Sequence, residues 1–261
     1  MNQVLRKLCT AVTLSVGFAL AAALVASTAH ASVVIAGTRV VFPAQEREVT
    51  VKLTNNGKTP ALVQVWLDKG DANSSPDKVE VPFTLTPPLF RLDPNKGQTL
   101  RLIYTKEPQA KDRETLFWLN VLEVPPKAAG DTQTNSLQLA FRSRIKVLFR
   151  PQGLPGRADE APAKVTWEVV PDAKGKGYAL KATNPTAYFV NLGQVSLKTG
   201  GRSLDAGAGF VPPLGSQLFA VKDLGAQPGA QAEVDYTSIN DFGGGVDGKQ
   251  PLQSSGAQPE K

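Results

Sequence analysis

The chain holds a single cysteine, a single histidine and a single methionine in 261 residues. Cys9 and His30 both fall within the first 31 residues, a stretch that reads as a removable leader. With that leader gone, the remaining 230 residues carry no thiol and no imidazole. Disulfides, Cys/His zinc sites, cysteine nucleophiles and histidine-based triads are excluded together. Basic charge is also modest. Subtracting Arg6 and Lys7 from the 29 basic residues leaves 27 against 23 acidic ones, a net charge of +4. A nucleic-acid binder would show a basic patch interleaved with stacking aromatics, so no nucleic-acid partner is expected.

The leader has the parts of a signal peptide. Arg6 and Lys7 form a short positive region, residues 8–26 carry no charge, and Ala29-His30-Ala31 supplies the small-x-small cleavage pattern. Cleavage is expected after Ala31, leaving Ser32 as the mature N-terminus. A retained anchor is the competing reading, since 19 uncharged residues just suffice to span a bilayer. The many Ala, Thr and Ser residues and the adjacent cleavage site favour removal. An exported chain without cysteines fits a bacterial periplasmic or secreted protein.

Beyond residue 32 the apolar periodicity is that of strands. Val49, Val51 and Leu53 alternate with Thr50, Lys52 and Thr54, and Asn55-Asn56-Gly57 supplies a turn before a second run over 61–67. Residues 98–104 alternate again, and 116–124 are apolar on both faces until Pro125-Pro126. No stretch sustains a helical period. Hydrophobic residues make up 41% of the chain, too many for disorder, and its length calls for two domains. The expected fold class is all-β, two β-sandwiches in tandem. Residues 32–151 form the first and 157–243 the second, with the Pro/Gly-rich 152–156 as linker and a Gly/Gln/Ser-rich disordered tail over 244–261.

The segment 136–150 stands apart. Leu137, Leu139, Phe141, Ser143, Ile145, Val147 and Phe149 share one parity; Gln138, Ala140, Arg142, Arg144, Lys146, Leu148 and Arg150 share the other. An amphipathic strand with a solvated basic face explains the pattern. So does a long edge strand left open for another chain.

Here the residues resemble a known family. Residues 110–125, AKDRETLFWLNVLEVP, are similar nearly position for position to the signature of periplasmic pilus (fimbrial) chaperones, with Gln109 departing where the family has an apolar residue. Gly37-Thr38-Arg39, Thr86-Pro87-Pro88 before Arg91-Leu92, the run 144–151, Asn184-Pro185-Thr186 and the run 239–244 follow in family order. The resemblance implies two immunoglobulin-like domains in an L-shaped arrangement, and a donor strand at 136–150 that completes an incomplete pilus subunit. Leu137, Leu139 and Phe141 would fill the subunit's groove, each contributing ~1.5–3 kcal/mol when buried. Arg39 and Lys146 would clamp the subunit's C-terminal carboxylate, and Glu114, Arg150 and Asp241 would link the two domains as an ion network. Two carboxylates around one arginine suit a structural cluster and not acid–base catalysis.

The implied function is a periplasmic chaperone that folds, caps and delivers pilus subunits to an outer-membrane usher by donor-strand complementation, without ATP. No cofactor, metal, catalytic residue or small-molecule substrate is expected, and an open edge also allows a self-capping dimer. A structural or adhesive immunoglobulin-like surface protein, or a cell-wall component, is the alternative class, which the alternating edge strand and the Arg39/Lys146 pair argue against. The nine residues 127–135 make a short loop before the donor strand, like that of the short-loop group of these chaperones.

Overall fold

Alternation becomes burial in the folded chain: Val51 and Leu53 point inward with under 5% exposure, while Thr50 and Lys52 face solvent. The computed structural model describes residues 32–78, 80–126, 138–172, 177–229 and 231–253. Its first half contains β1 (Val33–Ile35), β2 (Arg39–Pro43), β3 (Glu48–Asn55), β4 (Ala61–Asp68), β5 (Phe83–Thr86), β6 (Leu89–Leu92), β7 (Gly97–Tyr104), β8 (Thr115–Val124) and β9 (Phe141–Arg150). Two sheets, ordered β1-β3-β7-β5 and β2-β9-β8-β4-β6, face each other across a core of aliphatic side chains and the ring cluster of Phe42, Phe83, Phe117 and Phe149. Burying aromatic side chains of this size supplies much of the driving force for closing the sandwich.

The second half begins with a 3₁₀ helix at Ala158–Lys164, followed by β10 (Thr166–Pro171), β11 (Tyr178–Asn184), β12 (Val190–Thr199), β13 (Arg202–Val211), β14 (Gly215–Ala220), β15 (Glu233–Ile239) and β16 (Gly245–Pro251). Its sheets run β10-β11-β14 and β13-β12-β15-β16 around Trp167, Phe219 and Tyr236.

Two expectations need correction. The segment expected to be disordered from residue 244 contains β16, which pairs with β15 in unbroken register from Glu233↔Pro251 to Ile239↔Gly245. Its glycines serve packing: a Cβ on Gly248 would lie 2.4 Å from the Tyr236 ring. Residues 254–261 lie outside the described residues. The donor strand expected at 136–150 is regular only from Phe141, and residues 138–140 are exposed and unpaired in sheet terms. Leu137 and the loop 127–135 also lie outside the described residues.

Candidate functional site

Strand β9 carries the site because its two edges are treated differently. On one edge β8 pairs with it along its whole length, from Phe141↔Glu123 to Phe149↔Thr115, with no register shift. On the other, β2 pairs in parallel only from Lys146↔Arg39 to Arg150↔Pro43. Among the described residues nothing covers that edge from Phe141 to Ile145. Half of β9 is therefore interior strand and half is open template.

The faces of β9 follow the same division. Val147 and Phe149 are buried in the sandwich core, whereas Phe141 and Leu139, of the same parity, are 52% and 53% exposed. One continuous apolar face thus leaves its own domain's core and becomes free. No bulge intervenes, so the cations of opposite parity lie on the other face.

That other face is pinned, which the expectation of a merely solvated Lys/Arg face misses. The Arg144 guanidinium lies 4.2 Å over the Trp118 ring and pairs with the buried Asp68; Arg142 lies 4.9 Å over Trp66. Asn120 joins them, donating to Asp68 at 2.7 Å and accepting from Arg142 Nε at 2.9 Å. Burial pushes the Asp68 carboxyl up, but hydrogen bonds from Arg144 and Asn120 outweigh it and hold it below its ordinary value.

At the point where β2 begins, Arg39 and Lys146 meet as register partners. Arg39 Nη1 donates to the Ile239 carbonyl at 3.1 Å, and its buried Nε has no partner among the described residues. Lys146 Nζ donates to Asn191 Oδ1 at 2.5 Å and lies 4.4 Å over Phe210 and 5.6 Å over Trp118. Burial, with the neighbouring Arg39 charge adding to it, pushes the Lys146 ammonium down to about 8. Burial likewise lowers Arg39, against the pull of Asp241. Two partly desolvated cations therefore share a cleft, with no carboxylate in ion-pair contact among the described residues. Such a pair can hold an anion through charge-assisted hydrogen bonds. Asn191 and Phe210, from the second domain, were not legible in advance because no periodicity places β12 and β13 opposite β9.

Glu114, Arg150 and Asp241 also come together. Arg150 Nε donates to Glu114 Oε1 at 2.6 Å, and its two terminal nitrogens donate to the Asp241 carboxylate at 2.7 and 2.9 Å. The second Glu114 oxygen accepts the Phe189 N–H at 2.7 Å, and the Glu114 N–H donates to the Ala187 carbonyl at 2.9 Å. Every one of these contacts except Arg150–Glu114 crosses between domains. Burial opposes the Arg150 charge, but the Asp241 and Glu114 carboxylates outweigh it and raise its pKa. Burial pushes the Glu114 carboxyl up, with Arg150 opposing.

The fold and site define a two-domain protein of tandem immunoglobulin-like sandwiches whose half-open strand leads to two cations. Residues 32–155 match the model of the pili and flagellar-assembly chaperone PapD N-terminal domain, and residues 160–250 that of the pili assembly chaperone PapD C-terminal domain. The chain is 42% identical over 229 residues to the probable fimbrial chaperone YadV of Escherichia coli K12, covering 87% of this chain and 92% of that protein. It is 45% identical over 233 residues to the chaperone protein FimB/FhaD of Bordetella pertussis, covering 87% and 91%. The YadV crystal structure superposes with a TM-score of 0.73 at 40% identity, covering 85% of this chain and all of that one. The solved structure of the Salmonella enterica SafA pilin in complex with the SafB chaperone gives a TM-score of 0.69 at 29% identity, covering 87% of this chain and 99% of that one. The chain belongs to the PapD-like family of pilus-assembly chaperones, periplasmic proteins that are not enzymes.

Proposed function

We propose that the protein lends β9 and the residues leading into it to a pilus subunit whose own sandwich lacks a strand, caps it in the periplasm and passes it to an outer-membrane usher without ATP. The observation that carries this reading is the partial coverage by β2. A subunit strand added to the open edge at Phe141–Ile145 runs into β2 at Lys146 and must stop there. A chain that stops carries a carboxylate, and Arg39 and Lys146 stand at that point to receive it. Leu139 and Phe141 project from the apolar face into the subunit's groove, with Leu137 continuing the pattern. Glu114, Arg150 and Asp241 hold the second domain against the first so that the cleft keeps its width. A similar chaperone whose structure was solved in complex with a pilin accords with this assignment. The same open edge lets two free copies cap one another. Export with cleavage after Ala31 delivers the chaperone to the compartment where subunits arrive unfolded.

Leu139→Glu tests the groove assignment. Its side chain is half exposed in the free protein, so the variant keeps the wild-type melting temperature. In the complex it loses a buried anchor worth ~1.5–3 kcal/mol, or about 10- to 150-fold in affinity. Co-purification of tagged chaperone with its subunit measures this. Unfolding of the isolated variant, or undiminished recovery of subunit, contradicts the assignment.

A further inference from the structure

Glu123, at the end of β8, is 7% exposed and makes no ion pair among the described residues. Its partners are the Val33 N–H, donating at 3.0 Å, and the Ser32 hydroxyl. Two neutral donors are weak compensation for a buried carboxylate, which normally carries a full counter-charge. Among the described residues no lysine or arginine supplies it.

Ser32 meanwhile sits in a shaped seat. Its carbonyl accepts the Asn56 N–H at 2.6 Å, and the next residue, Val33, is paired with Asn55. Gly57 closes over it so tightly that an added Cβ would lie 2.4 Å from Ser32 Cβ and 3.4 Å from its Cα. Covalent geometry keeps the Ser32 nitrogen within about 4 Å of both its own hydroxyl and the Val33 nitrogen, the two atoms that Glu123 already holds.

We propose that Glu123, Asn56 and Gly57 form a receptor site for the chain's own α-ammonium group, which signal-peptidase cleavage after Ala31 creates on Ser32. Hydrolysis of the Ala31–Ser32 amide gives a carboxylate on the departing leader and an amine on Ser32, which takes up a proton from water. The new cation pairs with the buried Glu123 carboxylate. In the precursor that nitrogen is an uncharged amide, and the carboxylate has no counter-ion among the described residues. The first sandwich therefore reaches its full stability only after the leader is removed, which ties completion of folding to export. The inference rests on the cleavage position given above.

The test uses mature protein beginning at Ser32 and the same chain Nα-acetylated, each as the wild-type sequence and as the Glu123→Gln variant. Intact mass of the exported wild-type chain is measured first. A chain beginning at Ser32 whose melting temperature falls by roughly 5–10 °C on acetylation in the wild-type sequence, and by no more than about 1 °C in the Glu123→Gln variant, supports the site. An equal change in both backgrounds, including none, overturns it and leaves the cleavage position standing. An exported chain beginning elsewhere overturns both. Should Glu123→Gln not fold, one extra glycine before Ser32 in the wild-type chain displaces the charge by ~3.5 Å. That chain must then melt as low as the acetylated one, and a wild-type melting temperature overturns the proposal.

Discussion

Lys146→Ala is expected to remain folded and to bind its subunit roughly 30- to 4,000-fold more weakly, ~2–5 kcal/mol for truncating one partner of a buried charge contact. The fold survives because the lysine is no asset to it. Its pKa of about 8 lies below the ordinary ~10.4, so the folded state disfavours the ammonium. That cost is full below pH 8 and vanishes as the unfolded chain too loses the proton. A carboxylate reverses the preference and holds the proton in place. Subunit affinity should therefore be greatest below pH 8 and fall as the pH rises above it, since binding must then recapture a proton. Lys146→Ala should lack this step. Affinity measured from pH 6.5 to 9.5 on both proteins checks it. A subunit without a free C-terminal carboxylate should bind the two almost equally, and strong discrimination by that subunit would sink the clamp.

Arg150→Ala should cost ~3–5 kcal/mol, because it leaves the buried Glu114 carboxylate and the nearby Asp241 without their shared cation. For a chain of this size that corresponds to a melting temperature lower by roughly 6–20 °C. Arg150→Lys should recover little, since one ammonium cannot reproduce a fork that reaches Glu114 with one nitrogen and Asp241 with two others. Calorimetry of the three proteins decides the matter. Unchanged melting in Arg150→Ala, with unchanged subunit recovery, would show that the cluster does not hold the domains.

Much of the first sandwich was legible in the sequence. Alternation over 49–54, 61–67 and 98–104, and the two-sided run over 116–124, correspond to β3, β4, β7 and β8. Those strands announce themselves because one or both faces are buried. β13 and β16 did not, because GRSLDAGAGF and the glycine-bearing 245–251 hold few β-branched or aromatic residues. They are strands through their backbone pairing to β12 and β15, and Gly248 is required by the Tyr236 ring above it. Propensity is blind to both causes. The alternation along 136–150 does not show where burial ends. Phe141 and Val147 share a face, but the sandwich ends between them.

The cation pair came from resemblance alone. Arg39 and Lys146 are 107 positions apart, and only the parallel pairing of β2 with β9 makes them neighbours. Asn191, Phe210 and Trp118, which surround Lys146, had no sequence signal except that Trp118 lies within the family signature.

Amide hydrogen exchange on the free chaperone and on its purified subunit complex addresses strand donation most directly. In the free protein the amides of 139–145 on the edge away from β8 should exchange rapidly, while those of 146–150 facing β2 are protected. Subunit binding should extend protection over 139–145 and leave 146–150 unchanged. A stable complex in which 139–145 exchange as fast as in the free protein would contradict the claim that this edge is what the subunit takes.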